Sequence, residues 1–572
     1  MLLSAPVFAL PTANELSTEE LVGQAIMPRL TIGHHQVFKG PIQRGEVTGF
    51  YIKTDVGHTT AVDVNLKNQD KILKKQRKIL IKSLKDVKKW AAKSQHKIPL
   101  FLAFDYEGGT VTSPMFLGLK QMPSNMLLAA TGNKELITEM YAQQAAEIKR
   151  VGGNMALGPV TDVNSNPANP IIQTRSFGDN SKQVGEFATA AVKGLQQNGV
   201  PAVLKHFPGH GDTSVDSHFT QPVTNLPEKQ LWNTHISAFQ APIDAGVVGV
   251  MNNHVVYPQV DDKNSSIFSR KITHDILRDK MGFKGLVLTD GLDMGGNKDR
   301  TLKEAILDGM VSGNDIFLFG GDFLNQLEET AAAPAKAAKW VKADLQSTRP
   351  MLSIGSLQSN AQRILEVKKN LSQEGPKFFE NDKDFAKTAR KVAEAGVTLV
   401  RDEQGFIADF QQVQNVCVFM FADGIFSKQV NTLAEVLKAN GKNVTYVQTP
   451  RKPSETAQRD MKACGANAQA IIVGTSSTSS LNTDQHELVK ALFANAEKAG
   501  KPVAMISLLN PYEIPAYPQA NTILAVYGPT VETMAVSAEI LLGKLPAKGT
   551  LPVKLPAENK LPIEKTTRVN FL

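Results

Sequence analysis

Cysteine is almost absent from this chain. Its 572 residues include only two cysteines, Cys417 and Cys464, which lie 47 positions apart. A framework of several disulfides and a zinc site built on cysteine are therefore excluded. Cys417 lies within the apolar run NVCVFMF, and we expect it to be a buried strand residue.

Long apolar runs are missing as well. Beyond the first residues there is no uninterrupted stretch of about 18 apolar residues, so a membrane-spanning helix is not predicted. The N-terminal stretch MLLSAPVFALPTANEL has a short apolar run and the triplet V-F-A, which resembles the end of a secretory signal, although no positive residues precede it. We interpret residues 1–15 as a signal remnant and expect a periplasmic or secreted protein. If the stretch is not a signal, a cytoplasmic location is expected.

Outside one segment, the chain has no excess of positive charge. The formal net charge is +8, but residues 67–97 alone hold 12 Lys and Arg against two Asp, which leaves −2 for the remainder. Apolar residues recur at helical spacing through this segment, which predicts an amphipathic helix with one basic face. That face is either solvated or contacts an anionic cell-wall polymer or membrane surface. No aromatic interleaving or nucleic-acid motif accompanies the charge, so we expect no nucleic-acid partner.

Short apolar runs alternate with helical patterns over the first 350 residues, which favours a parallel sheet wrapped by helices. Seven such runs are clear, and they begin at Val47, Ile98, Gly153, Val200, Val247, Lys284 and Asn314. Their number and spacing predict a (β/α)8 TIM-type barrel, although the sequence does not locate an eighth strand. A second series of runs after a linker predicts a doubly wound α/β sandwich domain, which has no GxGxxG or P-loop and hence no predicted nucleotide. We predict a catalytic barrel over residues 16–350, a linker over 351–385 and the α/β domain over 386–572.

Polar residues stand where several of the predicted strands end. They are Asp105, Asp162, Lys205 with His206, Asn253 with His254, and Asp290. In a barrel, these strand ends converge on the face that holds catalytic residues. The sequence therefore predicts a shared site.

The stretch KHFPGHGDTSVDSH, from Lys205 to His218, has three readings: a metal site, an acid/base loop or a polar turn. The metal reading is the weakest, because a loop containing Pro208 and two glycines does not give the i, i+4 geometry of a helical zinc site. In the acid/base reading, Asp216 accepts a hydrogen bond from one imidazole nitrogen of His218 and leaves the other nitrogen to exchange a proton with a substrate. By itself the D-x-H pattern does not distinguish this dyad from a loop histidine beside an aspartate.

The same stretch resembles the diagnostic motif of glycoside hydrolase family 3 β-N-acetylglucosaminidases, KH-[FS]-PGHG-x4-D-x-H, at every fixed position. Further stretches agree in order along nearly the whole chain: ELVGQAIMP, FDYEGG, GPVTDVNSNPANPII with RSFG, VMNNHVVYP, GFKGLVLTDGLDM, ARKVAEAGVTLVRD, SLLNPYEIPAYP and KGTLPV. Two departures concern substrate contacts. Ser113 stands where the family commonly has an arginine, and VMNNH replaces the usual small residues before the histidine.

The resemblance implies a role for each matching residue. Asp290, in TDGLDM, is expected to be the nucleophile, and His218 oriented by Asp216 is expected to transfer the proton. Residues expected to bind the sugar are Asp105, Arg175, Lys205, His206 and His254. A retaining glycosidase requires a nucleophile and an acid/base group, and both are usually carboxyl groups. Here the resemblance implies that a histidine takes the acid/base role.

We therefore expect a retaining exo-β-N-acetylglucosaminidase that acts on terminal GlcNAc of peptidoglycan fragments or chitin-like oligosaccharides. A monomer with a carbohydrate substrate and neither metal nor cofactor is expected. Two alternatives stay open. The first alternative is a β-N-acetylglucosaminide phosphorylase on the same fold, because a neutral histidine repels phosphate less than a carboxylate does. The second alternative is a non-catalytic cell-wall-binding protein.

Overall fold

The computed structural model describes residues 10–52, 69–109, 113–320, 326–371, 382–403, 405–422 and 424–564. The chain is an α/β protein with parallel sheets. Most of the predicted signal remnant, residues 1–9, lies outside the described residues. No helix in the described parts of the chain is long and apolar enough to cross a membrane.

The N-terminal part alternates short strands with helices. Its strands are β1 (Ile26–Pro28), β2 (Gly49–Ile52), β3 (Phe101–Phe104), β4 (Met155–Ala156), β5 (Val203–Phe207), β6 (Gly249–Asn252), β7 (Val256–Tyr257), β8 (Asp261–Ser265), β9 (Leu286–Thr289) and β10 (Phe317–Phe319). Its α-helices are α1 (Thr18–Gln24), α2 (Lys39–Gln43), α3 (Gln69–Ala91), α4 (Ser113–Phe116), α5 (Asn125–Ala130), α6 (Lys134–Val151), α7 (Ser181–Gln196), α8 (Glu228–Leu231), α9 (Ser237–Asp244), α10 (Leu302–Ser312), α11 (Leu327–Leu345) and α12 (Ile354–Lys369). No apolar run in the sequence predicts β1, because its three residues are too few to show a period.

Eight of these strands pair in parallel with their neighbours. Sheets form from β2, β3 and β4, from β5, β6 and β9, and from β1 with β10. Isolated parallel bridges, Arg29 to Tyr51, Ala156 to Ala202 and Leu288 to Ile316, connect these three sheets. The short pair β7 and β8 is antiparallel and lies outside this arrangement.

Side chains of the parallel strands alternate between two cores. In β3, Phe101 and Ala103 pack in one apolar cluster with Met27 and Leu288, whereas Leu102 and Phe104 pack in a second cluster with the helices. All four β3 residues are buried, as expected for a strand covered on both faces. The continuous apolar runs in the sequence therefore reflect burial on both sides.

The predicted basic helix corresponds to α3. Leu80, Leu84 and Val87 are buried against the core, and the lysines between them are exposed, so the predicted amphipathic pattern is confirmed over the described residues. Residues 67 and 68, where the basic run begins, lie outside the described part of the chain.

The C-terminal part contains eight strands, six of which form one sheet while the other two pair with each other. Its strands are β11 (Thr398–Asp402), β12 (Asn415–Phe421), β13 (Asn443–Thr449), β14 (Ala470–Thr475), β15 (Leu481–Asn482), β16 (Val503–Ser507), β17 (Thr522–Ala525) and β18 (Ile563–Glu564). Its helices are α13 (Asp382–Gly396), α14 (Phe406–Asp409), α15 (Ser427–Ala439), α16 (Glu455–Asn467), α17 (Thr483–Lys498) and α18 (Val531–Leu541). The sheet order is β11-β17-β16-β14-β12-β13, and only β11 runs antiparallel to its neighbour.

Part of the predicted linker packs with the N-terminal strands. Helix α12 buries Ile364 in the cluster that contains Phe101, and the Lys368 ammonium donates to Gln24 Oε1 at 2.9 Å and to the Thr48 carbonyl at 2.8 Å. The segment folds as a helix because Leu357, Ala361, Ile364 and Leu365 lie on one face.

The two cysteines form a disulfide, which the sequence analysis did not predict. Cys417 lies in β12 and is buried, as expected, and its sulfur is bonded to that of Cys464 in α16. The Cα atoms are 5.5 Å apart, within the usual range for a disulfide. A few cysteines exclude a disulfide framework, but they do not exclude one bond between residues that the fold brings together.

Candidate active site

The predicted strand-end residues lie at the carboxyl ends of the parallel strands. Asp105 follows β3, Lys205 and His206 are the third and fourth of the five residues of β5, His254 follows β6 and Asp290 follows β9. The backbone amide of Asp290 donates to the Asn252 carbonyl at 3.0 Å, and that of Asp105 donates to the Ile52 carbonyl at 3.2 Å. Main-chain hydrogen bonds to the neighbouring strand thus fix the backbone position of Asp105 and of Asp290.

The Asp216 and His218 side chains form the predicted pair. Asp216 Oδ1 accepts from both Nδ1 and the backbone amide of His218, each at 2.8 Å. Burial raises the pKa of the Asp216 carboxyl, but these hydrogen bonds outweigh it and lower the pKa below its usual value. With Nδ1 donating to a carboxylate, Nε2 is the nitrogen that is free to exchange a proton.

Asp290 is half-buried at the end of β9, with Oδ1 accepting from the Gly291 amide at 2.8 Å. Burial raises the pKa of its carboxyl, but His254, His206, the Gly291 amide and His218 lower it, and the net pKa lies well below the ordinary value. The carboxylate is therefore ionised at neutral pH. The Gly295 amide donates to the His218 carbonyl at 3.0 Å, so the loop that carries the Asp216–His218 pair lies against the turn that follows Asp290.

A buried ion-pair cluster connects the ends of β3 and β5. Lys205 Nζ lies 2.5 Å from Asp105 Oδ1 and 2.6 Å from Glu107 Oε1. Arg175 donates to both oxygens of Glu107, at 2.7 and 2.9 Å, and its guanidinium lies 3.5 Å from His206 Nε2. Two predicted sugar-binding side chains, Arg175 and Lys205, are thus bound directly by Glu107, which is not among the predicted site residues. The sequence marks Glu107 only as the second acidic residue of FDYEGG and does not indicate that it bridges Arg175 and Lys205.

Asp162 organises the tight turn after β5. One oxygen accepts from the His206 amide at 3.1 Å and from His206 Nδ1 at 2.6 Å, and the other accepts from the His210 amide at 2.6 Å. The Asp162 side chain is fully buried. These bonds hold His206 with its Nε2 nitrogen toward Arg175, so Asp162 acts on the site through His206.

His210 connects the turn after β5 to the loop that carries Asp216 and His218, through two side-chain contacts. Its Nδ1 and Nε2 atoms lie 2.9 Å from Thr213 Oγ1 and 3.1 Å from Ser217 Oγ. Burial lowers the pKa of His210 to about 4, so the ring is neutral at physiological pH. His254 is also buried, which lowers its pKa, and its Nδ1 lies 3.1 Å from Asn297 Oδ1. No described residue is a hydrogen-bond partner of His254 Nε2.

Metal-competent side chains cluster elsewhere among the described residues. His274, Asp275 and Asp279 could reach one ion, but they lie on the outer helix that spans residues 271–280. Near the strand ends, two histidine–aspartate pairs are hydrogen-bonded, His206 with Asp162 and His218 with Asp216. Ser113, at the position where an arginine was expected, is the first residue of α4.

Known proteins resemble this chain over most of its length. Residues 20–349 match the family model described as the glycosyl hydrolase family 3 N-terminal domain. Beta-hexosaminidase A of Pseudoalteromonas piscicida is 27% identical over 94% of this chain and 97% of the relative. The β-N-acetylglucosaminidase/β-glucosidase of Cellulomonas fimi is 27% identical over 80% of this chain and 84% of the relative. A solved family 3 β-N-acetylglucosaminidase from Paenibacillus sp. str. FPU-7 superposes with a TM-score of 0.79 at 26% identity and covers 95% of this chain and 100% of that structure.

Proposed function

Because this chain belongs to glycoside hydrolase family 3 and is a glycosidase of the β-hexosaminidase type, we propose that it removes terminal β-linked GlcNAc from the non-reducing end of a glycan with retention of configuration. The observation that carries the proposal is the hydrogen-bonded Asp216–His218 pair, on a loop that is bound through main-chain hydrogen bonds to the turn following Asp290. A carboxylate and a separate proton-transfer group are the two parts that a retaining glycosidase needs.

In the first step, Asp290 attacks the anomeric carbon while His218 Nε2 donates its proton to the leaving oxygen. The glycosidic bond breaks, and a glycosyl ester forms on Asp290. In the second step, His218 takes a proton from water, whose oxygen attacks the anomeric carbon and releases Asp290. Asp216 holds the imidazole through Nδ1 and stabilises its charged form.

The ion-pair cluster is well suited to bind sugar hydroxyls. Asp105, Arg175 and Lys205 are held by charge-assisted bonds before any substrate arrives, so little reorganisation is needed on binding. His206 and His254 complete the set, and the buried Nε2 of His254 offers a hydrogen-bonding atom without a described partner. The departures at Ser113 and in VMNNH bear on these contacts rather than on Asp290 or the dyad.

We also infer that the N-terminal strands close into a (β/α)8 barrel. The parallel pairs and bridges run from β1 through β2, β3, β4, β5, β6 and β9 to β10, and β10 pairs with β1. The two separate cores on either side of β3 support this closure. The proposed division is a barrel over residues 16–350, a connection over 351–385 and a doubly wound α/β domain over 386–572.

A periplasmic or secreted location and a peptidoglycan or chitin-like substrate are part of the proposal. The Cys417–Cys464 disulfide supports export, since such bonds persist mainly in oxidising compartments. The exposed lysines of α3 would favour contact with an anionic cell-wall polymer or membrane surface. We propose a monomer, since the catalytic set described above comes from one chain.

The test is release of p-nitrophenol from the β-N-acetylglucosaminide and from the β-glucoside, with and without phosphate. Wild type, Asp290→Asn and His218→Ala are compared with His274→Ala, which changes a half-buried histidine on the helix over residues 271–280, as a matched control. We expect turnover of the acetamido sugar alone, independent of phosphate, lost in Asp290→Asn and lowered about 10²- to 10⁴-fold in His218→Ala. Turnover that requires phosphate would indicate the phosphorylase, and binding without turnover of either sugar would indicate a wall-binding protein.

A further inference from the structure

The loop that carries the dyad lies on the turn that follows Asp290. The amides of Gly295 and Gly296 donate to the carbonyls of His218 and Ser217, each at 3.0 Å. On the same side, Lys298 Nζ donates to the Phe219 carbonyl at 3.3 Å. Three successive carbonyls of the dyad loop are therefore bound to one short segment.

Only glycine fits at this contact. A Cβ atom on Gly295 would lie 2.5 Å from the His218 oxygen and 2.6 Å from the Phe219 carbonyl carbon and oxygen. A Cβ on Gly296 would lie 2.8 Å from the Cβ of His254. Neither glycine has a positive φ, so the absence of a side chain, rather than backbone conformation, is what the contact requires.

The dyad needs such support because its side chains are exposed. The His218 side chain is 40% accessible and the Asp216 side chain 27%, and their mutual hydrogen bonds lie within the loop itself. Those bonds set the orientation of the imidazole relative to the loop, but they do not set the position of the loop relative to Asp290. Contacts from outside the loop must do that.

We infer that the Gly295–Gly296 turn is a positioning element that places the acid/base histidine relative to the nucleophile by docking the loop main chain. The inference rests on the proposed function for the roles of His218 and Asp290. The docking turn begins five residues after Asp290 in the same loop, so one segment carries the nucleophile and holds the proton-transfer group.

The size of the effect follows from the clash. Ordinary carbon contacts begin near 3.4 Å, so a Cβ on Gly295 displaces the His218 main chain by roughly 1 Å. A misplacement of about 1 Å can cost about 10²-fold in rate. The loss is confined to steps in which His218 moves a proton.

Leaving-group dependence separates this role from a general structural one. For Gly295→Ala we expect kcat/KM on chitobiose to fall about 10²-fold, because its leaving oxygen must be protonated. On the 2,4-dinitrophenyl β-N-acetylglucosaminide, kcat/KM should stay within about threefold of wild type, because that leaving group departs without a proton. Its kcat should fall, because water then lacks a general base. Azide should restore kcat by attacking the anomeric carbon of the Asp290 ester, which forms the β-glycosyl azide and needs no proton transfer.

Gly355→Ala is the matched control, since its Cβ would meet only Ser353 Oγ at 3.9 Å, and it should leave all these rates unchanged. Equal losses of kcat/KM on both substrates without azide rescue, or wild-type rates on both, would overturn the inference.

Hydrogen exchange supplies a readout that does not depend on activity. The peptide spanning residues 213–223 should exchange faster in Gly295→Ala and, if that variant does not fold, in Lys298→Ala. Unchanged exchange would refute the docking of the dyad loop on the Gly295–Gly296 turn, even if the wild type proved inactive on both sugars. Faster exchange in an inactive enzyme would support the docking and refute the proposed glycosidase function.

Discussion

Replacing Glu107 by glutamine should destabilise the protein more than any exposed charge change. The Glu107 carboxylate bridges Arg175, through two hydrogen bonds at 2.7 and 2.9 Å, and Lys205, at 2.6 Å. The Glu107 and Arg175 side chains are each 8% accessible and that of Lys205 is 3%. Glu107→Gln keeps the shape of the side chain but leaves two buried cations with only Asp105 as a direct anionic partner.

The expected loss can be worked from these contacts. Removing one partner of a buried ion pair costs about 3–5 kcal/mol, and because Asp105 still pairs with Lys205 we expect the lower end, about 3 kcal/mol. Unfolding entropy of about 2.1 cal/mol/K per residue over residues 20–349 converts this loss to a fall in Tm of about 4 °C. The difference should shrink as the pH falls below 4.5. Burial raises the pKa of Glu107, but Arg175 and Lys205 lower it well below that value, so acid protonates the unfolded chain first and removes the stabilisation in wild type.

The measurement is thermal unfolding by circular dichroism at pH 7 and at pH 4. Glu139→Gln is the control, because Glu139 pairs with Lys391 at 3.0 Å with 37% and 47% of the two side chains accessible, and its loss should be below about 1 kcal/mol. Equal Tm values for Glu107→Gln and wild type at pH 7 would refute the argument that this carboxylate holds the two cations.

Three further predictions concern other parts of the molecule. Burial lowers the pKa of His210 to about 4, so between pH 6.5 and 4 the unfolded chain binds a proton that the folded chain does not. Over that range the wild type should lose roughly 3 kcal/mol of stability that His210→Gln does not lose. The measurement is Tm as a function of pH for both proteins. Reduction of the disulfide that joins Cys417 and Cys464, 47 residues apart, should cost about 2–4 kcal/mol in urea unfolding, and iodoacetamide should label both cysteines only after reduction. Asp162→Asn should lower kcat/KM about 10- to 100-fold without loss of the fold, because it weakens three hydrogen bonds that orient His206 and the turn after β5. An unchanged kcat/KM would show that the turn holds His206 without the negative charge of Asp162.

The sequence was most informative where local pattern and chain order decide the outcome. Apolar runs such as KGLVLT form strands because they are buried on both faces, and the polar residue that ends each run, Asp290 here, then lies at the strand end. The two-residue spacing of Asp216 and His218 is enough for both hydrogen bonds to the Asp216 carboxylate, but that spacing alone does not distinguish a dyad from a loop histidine, and the role was predicted from the family resemblance.

Features that depend on packing between distant segments could not be predicted. The disulfide requires β12 and α16 to meet, and nothing near Cys417 or Cys464 indicates that they do. Likewise, the bridging position of Glu107 depends on Arg175 and Lys205, which lie 68 and 98 residues away in the chain. Strand β1 was missed because its partners, rather than its three residues, determine that it is a strand.

The proposed mechanism requires that Asp290 become covalently attached to the sugar. The most direct measurement is peptide mass spectrometry after incubation with a 5-fluoro-N-acetylglucosaminyl fluoride, which slows hydrolysis of the intermediate. We predict a fluorosugar adduct on the peptide that contains Asp290, formed by wild type and absent from Asp290→Asn. An adduct on another residue, or turnover of GlcNAc substrates with no adduct on Asp290, would show that Asp290 is not the nucleophile.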